Sequence, residues 1–271
     1  RLTHVQVTLL LVVAAALYLA PFFFAFMNSL KTDAEYLRSV LAMPSKLQWN
    51  NYVRAFVVMG WLKAFFNSLV ITACAVFGFV MIGSMIAWKL ARTPSLLSTI
   101  ILVTLLSVML VPGESVIIPQ LVIARRLGLA NRRIGIIIMY WALLTPITMF
   151  LIHGFVKTIP YALEESVRMD GANGFQTYFY IVLPLLKPIL SIAVIFFGLT
   201  VWNDFLLPLI ILQRPQLYTI PLAALRFFTR YQAEYTLWLA SVFLSSLPMI
   251  ALFLFAQKRI MSGIMHGAVK F

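Results

Sequence analysis

Six apolar stretches, each about 20 residues or longer, run through this chain, and each is long enough to cross roughly 30 Å of hydrocarbon as a helix. They cover residues 7–30, 68–88, 96–118, 135–156, 188–212 and 236–256. The third is broken by Pro112-Gly113-Glu114, and the fifth contains Trp202-Asn203-Asp204. The runs are continuous rather than alternating, so helices are expected and a barrel is not. Hydrophobic residues make up 62% of the 271 residues and charged ones 11%. A soluble fold cannot hide that much apolar surface, which excludes a soluble enzyme, a disordered chain and a disulfide-stapled secreted domain. Residues 7–30 are too long for a signal-peptide core and end in Asn28-Ser29-Leu30-Lys31, so they read as a true first span. The opening residue, Arg1, leads to the expectation of further residues upstream.

Metal and thiol chemistry are not expected. Cys74 is the single cysteine, and His4, His153 and His266 are far apart with no helical-spacing partner. The net charge of +13 reflects a membrane protein's Lys and Arg excess as much as acidic partners. If the N-terminus is cytoplasmic, the outer segments carry more Lys and Arg than the inner ones. Charge alone therefore leaves topology open.

The connections differ in character. Residues 31–67 mix charge with Trp49, Tyr52 and Trp61 and read as short helices on the membrane surface. Residues 213–235 are polar and aromatic, with Pro215 and Pro221, and read as an exposed loop. Residues 157–187 hold three of the eight acidic residues. Pro160 suits a first helical turn, and Glu164 and Glu165 suit the helix N-terminal half. Asp170-Gly171 suits its end, with Gly171 left-handed. Phe175 to Leu183 starts another helix, and Pro184 marks the junction with the next span.

That segment resembles the loop of membrane subunits in binding-protein-dependent ABC importers: Glu-Ala-Ala, three residues, Gly, nine residues, Ile-x-Leu-Pro. Here Glu165, Gly171, Ile181 and Leu183-Pro184 keep the spacing, while Ser166 and Val167 stand in place of the two alanines. The resemblance continues along the chain toward the smaller membrane subunit of maltose-type carbohydrate importers. It is carried by Pro44 to Tyr52 with Asn67-Ser68-Leu69, Ile118-Pro119 with Leu127 to Asn131, and Trp202 to Leu206. It also includes Leu217 to Leu222, Gln257-Lys258-Arg259 with Gly263, and Gly267 to Lys270.

The resemblance implies an all-α integral membrane protein with six transmembrane helices. It implies the type I ABC importer permease fold, formed as one domain over residues 1–271, with a cytoplasmic coupling loop over 157–187. Both termini would be cytoplasmic, in a bacterial or archaeal inner membrane. Expected partners are a second related permease, two ATPase subunits, an external solute-binding protein, an oligosaccharide and lipid. ATP and Mg²⁺ would sit on the ATPases. This chain has no G-x-x-x-x-G-K-[ST] and no Gly-Lys pair, so it is expected to be non-catalytic and to bind no cofactor. Residues expected to dock the ATPase are Glu164, Glu165, Arg168, Asp170, Gly171, Ile181, Leu183 and Pro184.

The pathway is expected near Pro112, Glu114, Trp202, Asn203 and Asp204. Broken helices and intramembrane carboxylates need protein or water to satisfy them. The tail, 257–271, is glycine-rich from Gly263, and its Gly267, Ala268, Val269 and Lys270 are expected at the ATPase interface. Aromatic residues, at 14%, do not by themselves identify a sugar path. The outer basic residues suggest an acidic oligosaccharide of uronate type. An ion-coupled transporter would call for an inverted repeat and paired intramembrane charges, neither of which is visible. A membrane scaffold with no pathway of its own is the remaining alternative.

Overall fold

The computed structural model describes residues 4–228 and 234–268, and no strand occurs among them. In chain order the helices are α1 (His4–Ser29), α2 (Asp33–Arg38), α3 (Asn50–Met59), α4 (Trp61–Arg92), α5 (Leu96–Ser107), α6 (Ile117–Arg126) and α7 (Arg133–Val156). They continue with α8 (Ala162–Met169), α9 (Gly174–Thr177), a π-helical turn (Tyr178–Val182), α10 (Leu183–Leu185), α11 (Lys187–Asn203), α12 (Leu206–Ile211), α13 (Ile220–Ala223) and α14 (Tyr235–Ala268). The chain divides into two compact units, one of residues 1–64 with 220–252 and one of residues 65–219 with 253–271.

In the first unit, α1 is apolar along its length and exposed over most of it, as expected of a lipid- or partner-facing helix. Polar contacts lock its C-terminal end. The Asn51 amide donates to the carbonyls of Ser29 and Lys31 at 2.8 Å each, and the hydroxyls of Ser29 and Tyr52 lie 2.7 Å apart. Lys31 is buried because its ammonium donates to the Ser39 and Val40 carbonyls (3.0 and 3.2 Å). Burial also lowers its pKa. Thr32 and Glu35 form a capping box at the start of α2. Asp33 accepts from both the amide and the hydroxyl of Thr236, tying α2 to α14.

In the second unit, α7 is the buried centre. Its Met149, Ile152 and Val156 share a core with Ala87, Ile159, Tyr178, Val182 and Leu186. Gly78 of α4 lets α4 and α7 meet, since a Cβ there would lie 2.0 Å from the Trp141 ring. The Trp141 indole donates to the Cys74 carbonyl at 3.0 Å.

The expected spans are modified at three points. Among the described residues, four helices are long and apolar enough to cross a membrane, namely His4–Ser29, Trp61–Arg92, Arg133–Val156 and Tyr235–Leu252. A fifth candidate is a pair, Gly174–Leu185 with Lys187–Asn203, bent by 74°. The 96–118 segment is regular only over Leu96–Leu110, too short by itself, because the chain is extended at Val111 and Pro112 before a 3-10 turn at Gly113–Val116. The 188–212 segment breaks at Asp204, whose extended backbone separates α11 from α12. The second span starts earlier than expected, at Trp61, because Gly60 (φ +63°) closes α3 and lets α4 begin at once. The C-terminal tail differs too. The backbone of α14 stays helical to Ala268 through the glycines, since it prolongs an existing helix and needs no nucleation of its own.

Candidate functional site: the 157–187 loop

This loop is a short helix, a tight turn and a second short helix, as the sequence predicts, and local chemistry accounts for each part. α8 ends in a Schellman motif. The Gly171 amide donates to the Arg168 carbonyl (3.0 Å), and the Ala172 amide donates to the Val167 carbonyl (3.1 Å). Gly171 takes φ +89°, where a side chain is strained. Asn173 and Gln176 then form a capping box that starts α9.

The two neighbouring glutamates have opposite fates. Glu165 is exposed. Glu164 is fully buried and anchors α8 from within. Its carboxylate accepts from Arg92 Nε at 2.7 Å and from the Trp88 indole at 2.9 Å. Arg92 also donates to the Ile159 carbonyl at 2.8 Å. The end of α4 therefore grips α8 through a charge-assisted pair that desolvation alone would disfavour. A second link joins the same helix to the π-helical turn, where the hydroxyls of Tyr178 and Ser84 lie 2.7 Å apart. Sequence reading missed Arg92, Trp88, Ser84 and Tyr178, and it did not anticipate the burial of Glu164. The available signal was a pair of cations, Lys89 and Arg92, at the end of the second span, since a buried carboxylate needs a cationic partner.

Other expected residues are sorted by the fold. Asp170 and Gly171 are exposed at the turn. Arg168 is exposed but turned back toward Tyr161, donating to its hydroxyl at 3.2 Å. Ile181 is half-buried, and Leu183 packs on the apolar core. Pro184 is exposed. The outward surface carries apolar side chains that a solvated loop has no reason to display. Leu163 is 45%, Met169 83% and Phe175 69% exposed.

The expected pathway residues lie at two helix breaks. Pro112 is exposed at one, and the Glu114 side chain lies outside the described residues. At the other, Asp204 accepts from the Tyr140 hydroxyl (2.8 Å) and the Leu206 amide (3.0 Å), so its carboxylate is held by protein. Asn203 beside it is exposed. Trp202 is buried and meets the Phe65 ring edge to face. In the tail, the side chains of Gly267 and Ala268, and all of Val269 and Lys270, lie outside the described residues.

Residues 52–263 match the family described as binding-protein-dependent transport system inner membrane component, and the chain belongs to that family. It is a non-catalytic, multi-pass permease subunit of an ABC importer in the inner membrane, a system that includes a partner permease, an ATPase and a solute-binding protein. It is 32% identical to the probable starch degradation products transport system permease protein AmyC of Thermoanaerobacterium thermosulfurigenes, over 100% of this chain and 99% of that one. It is 31% identical to the melibiose/raffinose/stachyose import permease protein MelC of Bacillus subtilis, over 97% of this chain and 96% of that one. The fold matches a chain from the crystal structure of a bacterial ABC transporter involved in the import of the acidic polysaccharide alginate. That match has a TM-score of 0.77 at 21% identity and covers 93% of this chain and 94% of that one.

Proposed function

We propose that this chain is one of two related permease subunits in an ATP-driven importer of oligosaccharides, with both termini and the 157–187 loop cytoplasmic. Two ATPase subunits, holding ATP and Mg²⁺, dock on the loop. Their closure moves α8, and the Glu164–Arg92–Trp88 grip carries that motion into α4, shifting the balance between inward- and outward-open states. The observation that carries this reading is the combination in α8 of a buried anchor on one side and exposed Leu163 and Met169 on the other. The oligosaccharide class rests on what AmyC and MelC are named for. The test is to purify the chain with its partners and measure saccharide-stimulated ATP hydrolysis. Wild-type stimulation after Met169→Asp combined with Leu163→Asp would overturn the docking reading.

A narrower reading, an acidic oligosaccharide, is supported by an arginine cluster. Arg125, Arg126, Arg132 and Arg214 are all exposed. Asn131 joins their segments by accepting from the Gln213 and Arg214 amides at 2.6 and 3.2 Å. Other outer cations are engaged internally, among them Lys31 and Arg54, which lies 3.5 Å from Glu234. Uronic oligosaccharides should stimulate ATP hydrolysis more than neutral ones. A preference for neutral maltodextrins excludes the acidic class and leaves the importer reading intact.

A further inference from the structure

Between the end of α4 and the α8–α9 turn lies a cavity of about 450 Å³, lined among others by Trp88, Lys89, Arg92, Arg168, Phe175 and Tyr178. Three cations face it. Arg92 is committed to Glu164 and the Ile159 carbonyl. Arg168 and Arg92 both lie near the Tyr161 ring, 5.9 and 5.7 Å from its centroid. Among the described residues, no carboxylate pairs with Lys89 or Arg168, because the ion pairs there are Arg54–Glu234 and Arg92–Glu164. Glu164 is engaged by Arg92 and Trp88. The lining is thus positive at two uncompensated points; Arg92, Thr93 and Gly174 apart, the rest is aromatic or thioether, with Met85 on the α4 side. Lys89 and Trp88 also mark the place where the apolar run of α4 ends, the depth at which such residues meet headgroups.

We propose that this cavity binds the headgroup of an anionic phospholipid, its phosphate between Lys89 and Arg168 and its glycerol and upper acyl carbons against Met85, Trp88 and Phe175. The inference rests on the cytoplasmic placement of the loop, since anionic lipid on that leaflet attracts basic side chains at the membrane surface. A lipid seated there bridges α4 to the α8–α9 turn, beside the Glu164 grip, and so stiffens the link on which coupling depends.

The test uses the complete transporter in nanodiscs of phosphatidylcholine mixed with phosphatidylglycerol, with retained lipid measured by native mass spectrometry after detergent exchange. Wild-type protein should retain phosphatidylglycerol preferentially. Lys89→Gln combined with Arg168→Gln should lower that retention on the order of tenfold or more, given two surface cations lost. The charge-conserving pair Lys89→Arg with Arg168→Lys, and Lys157→Gln outside the cavity, should keep it. Equal retention by wild type and the double glutamine variant would overturn the proposal. So would displacement of the lipid by inorganic phosphate, which points to a soluble anion. Retention by the permeases alone that disappears on adding the ATPase also overturns it, since the ATPase and not lipid then covers the cavity in the complete transporter. The loop's orientation is read separately, by the side from which a cysteine at Ser166 is labelled. A wrong side sinks the placement, whereas lost charge dependence sinks the lipid site alone.

Discussion

At Gly171 the backbone itself is the constraint. Its φ of +89° is in the left-handed region, and a Cβ there would meet nothing within 4 Å. Gly171→Ala should therefore cost only backbone strain, about 1–2 kcal/mol, and leave insertion intact. Gly171→Leu adds bulk to an exposed turn and should strip the ATPase from the purified complex, which subunit retention on affinity purification checks. The Glu164 grip works through burial. Arg92→Ala strands a carboxylate whose side chain is fully buried, a loss of about 3–5 kcal/mol. Thermal unfolding in detergent should show a clear drop. Arg92→Met with Glu164→Leu should restore most of the lost stability without restoring stimulated ATP hydrolysis. That split is the signature of a contact that transmits motion as well as holding the fold.

The segments between spans are built from short elements with strong local caps, and one of these is sensitive to acid. Glu35 is held at a pKa of about 2, against an ordinary 4.5, first by a hydrogen bond from the Ser45 hydroxyl and then by the Thr32 amide. A carboxylate with a lowered folded-state pKa adds stability that is fully present above the unfolded value and is lost as pH falls through the folded one. The α2 cap should hold from neutral pH to about 4.5, then loosen as pH falls toward about 2. Labelling of a cysteine placed at Ala42, in a Cys74→Ser background, should rise over that window, and Glu35→Gln should label readily at every pH. The loop between α7 and α11 differs in kind. A π-helical turn and a 74° bend join it to the next span, so its orientation depends on Tyr178, Val182 and Leu186 filling the shared core. Unusual helical turns of this kind collect where a helix must change direction under load.

For the whole molecule, topology is the property that Lys and Arg distribution leaves open. Single cysteines at Ser166 and Gln213, with Cys74 replaced, should label with a membrane-impermeant maleimide from opposite sides. Ser166→Cys should react only in inverted vesicles and Gln213→Cys only in right-side-out ones. Labelling of both from one side would contradict the cytoplasmic loop, and the ATPase docking with it. Each exposed apolar face, α1 above all, is left to lipid or to the partner permease, which is why so hydrophobic a chain can bury so little of itself.

Local and periodic features were legible in the sequence because their causes are local. Apolar length located four long membrane helices, Pro112-Gly113 marked a break, and Asp170-Gly171 set the end of α8 through its left-handed turn. The Glu165–Gly171–Pro184 spacing was enough to point to the family. Tertiary structure decided which side of each element is used. It buried Glu164 and exposed Glu165, folded the exposed Arg168 back onto Tyr161, buried Trp202 against Phe65 and gave Asp204 to Tyr140. It also set the 74° angle at the junction that Pro184 marks between the loop's second helix and the next span. These outcomes depend on pairings such as Arg92 with Glu164, 72 residues apart, which leave no periodic trace along the chain. A buried charge must find a partner, and only the packed helices determine which partner is within reach.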